Sequence, residues 1–506
     1  MGVLDSLALG FSVSLEPMNL AYCFLGVLLG TLVGVLPGLG SAATIALLLP
    51  VTYGMSATSA VIMLAGIWYG SMYGGSTTSI LLRVPGESAS VMTCIDGYEM
   101  ARRGRAGAAL GIAAFGSFIA GTLGLVGLIL LAPPLAEFAL DFGPPEYFAL
   151  TLLGLTLVSY LGSGAVPKAL AMAALGLLLG TVGLDPVQSE ARFTFGSLSL
   201  QGGIELVPMV MGLFGLSQVL HLVLSKPGPP ENAGPLGSLL SLLPNRQEWR
   251  DSAGAIGRGT VVGFLVGLLP GAGGTISSYV AYAIEKRCSA HPERFGQGAI
   301  EGVAAPESAN NAATASGFIP LLSLGLPANA VMALMLGAFM LHGITPGPTL
   351  LTQKPDMFWG VITSMLVGNL MLLVLNLPLV GVFARFARLP AAYLVPAIAV
   401  ACMIGAYGVN NNPFDIIVML GFGVFGYYAE HFGFSLAPLV LAFVLGPLME
   451  ISLRQSLIIS GGAFSIFATR PISGVLLALT ALMVALPFGR WLAGHRAPRR
   501  AGPPLA

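Results

Sequence analysis

Apolar residues run along this chain in long blocks, and short polar stretches break them at few places. The blocks lie at roughly 18–36, 40–53, 57–82, 108–132, 146–162, 165–184 and 203–224. They resume at roughly 255–284, 299–342, 358–383, 391–409, 413–429, 435–452, 456–468 and 472–493. Several exceed the ~20 residues that span a bilayer as a helix, and others fall short. The pattern predicts an all-α polytopic integral membrane protein with about 10–12 transmembrane helices. One clear polar linker holds Lys226, Pro227, Pro229, Pro230, Pro235, Arg246 and Arg250. It divides the chain into a first transmembrane repeat at 1–224, a linker at 225–254, a second repeat at 255–470, and a last helix with a basic tail at 471–506.

Two of the interruptions are copies of one another. Gly34-Val35-Leu36-Pro37-Gly38-Leu39-Gly40-Ser41 recurs as Gly267-Leu268-Leu269-Pro270-Gly271-Ala272-Gly273-Gly274. Pro37 and Pro270 cannot continue a helix, the glycines permit left-handed backbone, and Ser41 or Thr275 can cap a restarted helix. Pro85 matches Pro327, Pro145 matches Pro390 and Pro167 matches Pro413 in the same order, so the duplication reaches well past the motif. Basic residues change sides between the copies. Arg102, Arg103, Arg105 and Lys168 have only Lys354 opposite them, whereas Arg385 and Arg388 oppose a loop with Glu137 and Asp141. Cytoplasmic loops are enriched in Lys and Arg. The swap predicts two inverted-topology repeats with discontinuous helices or re-entrant hairpins, the linker and the Arg490–Arg500 end being cytoplasmic.

Composition narrows the class. Of 506 residues 55% are hydrophobic and only 9% charged, against about 25% in a soluble domain. The net charge is zero, which leaves no basis for nucleic-acid binding. Cys23, Cys94, Cys288 and Cys402 are scattered, with no C-x-x-C and no H-E-x-x-H, so neither a disulfide framework nor a zinc site is expected. The N-terminus lacks a basic n-region, and no cleavable signal peptide is expected. Trp68, Trp359 and Trp491 read as interfacial anchors.

Four polar stretches then carry the candidate chemistry: Gly38–Thr44, Tyr73–Ser79 with Pro85–Ser88, Gly271–Ser278, and Pro306–Asn311 with Pro327-Ala328-Asn329. Helix N-termini at membrane depth offer unpaired N–H groups and the positive end of a dipole, and glycine lets an anion approach them. A carboxylate site is therefore expected at Gly38, Gly40, Ser41, Ser76, Thr77, Gly86, Gly271, Gly273, Thr275, Pro327 and Asn329. Intramembrane acids need a reason. Glu307 and Glu87, with Ser308, Asn310 and Asn311, are the candidates to take a coupling ion, either H+ or a bound Na+. Such stretches also serve as close helix–helix contacts, and Glu87 also fits a wet helix cap. No catalytic residues are assigned, because no nucleophile–base pair or metal cluster recurs at the breaks. A membrane-embedded enzyme or a channel remains the alternative to a transporter.

At these residues the sequence resembles the large membrane subunit of the tripartite tricarboxylate transporters, the TctA type. The resemblance covers about 18–470 and is carried by Gly34–Gly38, Tyr73–Leu82, Val84–Glu87, Gly267–Gly273 and Pro306–Ala312. Ala328 departs from it, standing where Gly is expected by analogy with Gly86. The resemblance implies an ion-gradient-driven permease for small carboxylates, such as tri- or dicarboxylates, in the bacterial inner membrane. It implies two partners besides lipid: a periplasmic solute-binding protein of TctC type and a small membrane subunit of TctB type. It implies no cofactor beyond the coupling ion, and the absence of a P-loop motif agrees with ion rather than ATP drive.

Overall fold

A computed structural model describes residues 2–36, 40–161, 165–225, 239–386 and 389–496. Pro37, Gly38, Arg388, residues 226–238 of the expected linker and the end of the basic tail lie outside the described residues. The first half builds α1 (Val3–Ser14), α2 (Pro17–Gly34), α3 (Gly40–Leu48), α4 (Ala57–Leu82), α5 (Thr93–Arg102), α6 (Ala106–Ala139), α7 (Pro144–Leu161), α8 (Val166–Gly180), α9 (Leu206–Val210) and α10 (Ser217–Ser225). A two-stranded hairpin, β1 (Gly183–Leu184) with β2 (Ala191–Arg192), separates α8 from α9. The second half builds α11 (Arg246–Gly267), α12 (Gly273–Cys288), α13 (Glu301–Ser316), α14 (Phe318–Leu324), α15 (Ala330–Leu341), α16 (Leu350–Gln353), α17 (Pro355–Phe386), α18 (Ala391–Asn410), α19 (Pro413–His431), α20 (Ala437–Ile459), α21 (Ile466–Thr469) and α22 (Pro471–Arg496).

Helix α11 begins inside the expected linker. Asn245 accepts the N–H groups of Gln247 and Glu248, and Glu248 accepts that of Asn245, so a reciprocal capping box starts the helix nine residues before 255. Six helices among the described residues are long and apolar enough to cross a membrane: Pro17–Gly34, Ala106–Ala139, Leu206–Leu224, Pro355–Phe386, Ala392–Asn410 and Ala437–Ile459. Five more apolar helices run 10–17 residues. The shortfall from the expected number has a physical cause. Central helices need not be apolar, because protein rather than lipid surrounds them. Both α4, from Ser59 to Leu82, and α13, from Gly302 to Ser316, are buried along their length.

Glycine places those central helices. On α2, a Cβ at Gly26, Gly30 or Gly34 would strike the backbone of Met63, Ile67 or Ser71 on α4. On α11, a Cβ at Gly259, Gly263 or Gly267 would strike that of Ala305, Ala309 or Ala313 on α13. Small residues one helical turn apart allow backbones to touch, the packing that drives helix association in lipid. These six contacts occupy equivalent positions in the two halves, so the duplication is a duplication of packing as well as of sequence. The halves then interlock: α6 packs on α13, and α17 packs on α4.

The polar residues 73–79 and 306–316 lie within α4 and α13, and α4 spans the expected block 57–82; the chain turns after them, at Arg83 (φ 56°) and Gly325 (φ 70°). One expectation is corrected. Trp68 and Trp359 are not interfacial: both are buried, Trp68 against Phe318 with ring centroids 5.5 Å apart and Trp359 against Phe358 at 5.4 Å. The interior has room for large rings where glycine and alanine line the neighbouring helices. The side chain of Trp491 lies outside the described ones.

Candidate functional site

The helix restarts that follow the two duplicated breaks are linked through one turn. After each, the chain re-enters a helix through a left-handed glycine, Gly40 at φ 60° and Gly273 at φ 54°. Opposite each glycine stands a residue from the turn that follows the central helix. In the first half it is Glu87, whose Oε2 accepts the Ser41 N–H at 2.6 Å. In the second half it is Asn329, whose Nδ2 would lie 3.5 Å from a Cβ on Gly273. Asn329 also caps α15, accepting the Met332 N–H at 3.0 Å. The turn after α4, whose Glu87 holds the first restart, is joined to the second restart across the halves by the hydroxyls of Ser88 and Thr275, 2.8 Å apart. Ser88 is exposed and Thr275 half-buried, so this junction is reachable from outside the protein.

A second polar cluster is sealed behind the first. Glu307 on α13 is fully buried. Ser76 of α4 donates to its Oε2 at 2.6 Å, Thr93 of α5 donates to its Oε1, and Asn310 donates to Oε2 at 3.4 Å. Asn311 donates to Asn310 Oδ1 at 2.6 Å, to the Glu307 carbonyl at 3.0 Å and to Ser117 of α6 at 2.8 Å. Pro306 and the helical spacing of Glu307, Asn310 and Asn311 put the carboxylate and both amides on the side of α13 that meets α4 and α6. All three side-chain donors on the carboxylate are neutral. A charge buried among neutral groups is costly unless a proton or a cation neutralises it.

The expected residues thus separate into two groups. Gly40, Ser41, Gly273, Thr275 and Asn329 lie at the junction, and Glu87 joins them rather than Glu307. Ser76 joins the Glu307 cluster instead, with Asn310 and Asn311. Thr77 is buried one residue further along α4. The remaining positions shape the backbone. A Cβ on Gly86 would strike the Gly34 carbonyl, so Gly86 lets its turn close on the end of α2. Gly271 (φ 85°) donates its N–H to the Ala328 carbonyl at 2.6 Å, which ties the second break to its own turn at the position where Gly86 stands in the first. Pro327 is buried in that turn. Ser308 faces α6 near Gly116, its hydroxyl without a hydrogen-bond partner. Gly38 lies outside the described residues.

Thr93, Ser117 and Asp96 are additions that sequence reasoning missed. Asp96 is fully buried on α5. Its Oδ1 accepts the N–H groups of Gly296, Gly298 and Ala299 at 2.8, 2.8 and 2.9 Å, and its Oδ2 accepts the Tyr282 hydroxyl at 2.8 Å. Thr93 stands one turn before it, so this clamp on the second half holds the residue that meets Glu307.

Residues 20–441 match the Tripartite tricarboxylate transporter TctA family. The chain belongs to that family. The match runs from α2 into α20 and includes both breaks, both turns and Glu307. This TctA chain is 50% identical over 488 residues, 96% of its length and 97% of the relative's, to an uncharacterized 52.8 kDa protein in the TAR-I ttuC' 3' region of Agrobacterium vitis. It is 51% identical over 224 residues, 44% of its length and 93% of the relative's, to an uncharacterized protein in the TAR-II ttuC' 3' region of the same organism. No solved structure matches it. Family and apolar helices together make this TctA protein a multi-pass membrane component of a tricarboxylate transporter.

Proposed function

We propose that the chain is the permease subunit of an ion-gradient-driven importer of small carboxylates, such as tri- or dicarboxylates, in a bacterial inner membrane. In this reading its halves have inverted topology, and the substrate carboxylate meets the two helix restarts at Gly40-Ser41 and Gly273–Thr275. Glu307, with Asn310 and Asn311, takes the coupling cation, Na+ or H+. A periplasmic binding protein delivers substrate, and a small membrane subunit completes the assembly. The observation that carries the reading is the Ser88–Thr275 contact at 2.8 Å, which joins the turn after α4 to the start of α12 in the other half, next to Gly274, which faces Asn310 of the Glu307 cluster. Helix N-termini flanked by hydroxyls favour anions, and a dry carboxylate favours a cation.

The test is uptake by the chain reconstituted with its binding protein and small subunit, against substrate and ion concentration. A charge-assisted hydrogen bond is worth about 1.5–3 kcal/mol, so Thr275→Val should weaken substrate affinity roughly 10- to 100-fold. Glu307→Gln should instead alter the dependence on the driving ion. Wild-type affinity and ion dependence in both variants, at matched expression, would place the site elsewhere.

A further inference from the structure

A small cavity lies between α4, α6 and α17, lined by side chains of different character at its two ends. The deep end is polar: Tyr73, Ser76 and Thr77 of α4, Ser117 of α6 and Asn376 of α17. Two of these belong to the Glu307 cluster, Ser76 donating to the carboxylate at 2.6 Å and Ser117 accepting from Asn311 at 2.8 Å. From Ser117 the cavity follows α6 back towards its N-terminus, past Ala114 and Ala113 to Leu110, about 10 Å at 1.5 Å per residue. There it is lined by Leu242, which is buried and belongs to a short turn (Leu239–Leu242) within the linker. Its volume is ≈ 20 Å³, room for about one water, and its deep wall can hydrogen-bond that water.

The closing turn is seated by glycine. A Cβ on Gly107 would strike the Ser241 carbonyl, and a Cβ on Gly111 would strike that of Leu242. Only an α6 without side chains there lets the turn lie this close. Leu110, at this end, lies about one turn into α6, after the loop of Arg102, Arg103 and Arg105. Polar within and apolar at the mouth, the cavity has the form of a passage closed by a hydrophobic constriction.

We propose that this cavity is the inner passage through which the cation that neutralises Glu307 exchanges with the linker face of the protein, and that Leu242 is its gate. The proposal rests on Glu307 as the coupling group. The cation is a proton or a small monovalent ion, which needs water or hydroxyl oxygens along its way and finds them at Ser76, Ser117 and Tyr73. Displacing Leu242 lets water reach from the linker face to the polar lining beside Glu307 and leaves the substrate junction untouched.

The test is thiol labelling of the full chain in vesicles, with Cys23, Cys94, Cys288 and Cys402 replaced by alanine. Ala113→Cys is probed with a membrane-impermeant cationic thiol reagent from each face, and Arg103→Cys reports which face is the linker face. Ala113→Cys alone should label slowly. Adding Leu242→Ala should speed its labelling severalfold from the linker face only, and Gly111→Ala should do the same by lifting the turn. Leu128→Cys, further along α6 and buried, should stay unreactive throughout. No acceleration with Leu242→Ala and none with Gly111→Ala, or acceleration from the opposite face, overturns the passage while leaving Glu307 in its role. Acceleration as expected, with Glu307→Gln keeping wild-type ion dependence in uptake, overturns the coupling role and the passage's function with it.

Discussion

The carboxylate of Glu87 accepts the backbone N–H of Ser41 at 2.6 Å, at the N-terminus of a helix that restarts inside the protein. The equivalent residue of the second half is Asn329, a neutral amide beside Gly273. One restart therefore holds a carboxylate supplied by the chain itself, and the other does not. In Glu87→Ala the Ser41 N–H loses a charge-assisted bond worth about 1.5–3 kcal/mol, and thermal stability should fall accordingly. Citrate or a dicarboxylate should then raise the unfolding temperature more in the variant than in the wild type, because the vacated N-terminus accepts an external carboxylate. Equal ligand-induced shifts in the two proteins would show that the α3 N-terminus takes no substrate.

Asp96 should matter more to folding than any acid at the surface. Asp96→Ala removes the acceptor of three backbone N–H groups and a tyrosine hydroxyl, of which the Ala299 N–H and the Tyr282 hydroxyl are buried, at about 1–3 kcal/mol for each buried group left unsatisfied. The purified variant should unfold at a markedly lower temperature and show altered ion dependence, because Thr93 is no longer held against Glu307. Thr93→Val should reproduce the ion effect with little loss of stability. An Asp96→Ala protein as stable as the wild type would show that the clamp does not form.

The glycine contacts of the two halves should respond alike. Gly30→Ala and Gly263→Ala each place a methyl group against backbone, and overpacking of this kind costs about 1–3 kcal/mol. Gly257, on the same helix α11, has open space where a Cβ would go, so Gly257→Ala should be neutral or stabilising by about 0.5–1 kcal/mol. The fraction of protein surviving detergent extraction and heating measures the difference. Equal survival of Gly257→Ala and Gly263→Ala would mean that α11 and α13 do not pack as closely as described.

The sequence by itself determined the class of molecule and the plan of its duplication. Long apolar blocks leave only helices as a way through lipid, because every backbone group must be paired within the element. Pro37 and Pro270 with their glycines determined where those helices break, since proline removes a donor and glycine permits the left-handed turn at Gly40 and Gly273. Glu307 was legible as a site because an acid in an apolar run demands a partner. Tertiary structure decided the rest. It brought Ser76 and Thr93, over two hundred residues away in sequence, to the two oxygens of Glu307, and it turned Glu87 away from that cluster to Ser41. It kept Tyr73–Ser79 helical, because polar side chains inside a bundle can bond to other helices without opening their own. Asp96 carries no local sign of its importance: the partners that define it are N–H groups of a loop in the other half, and only packing the halves together brings them to it.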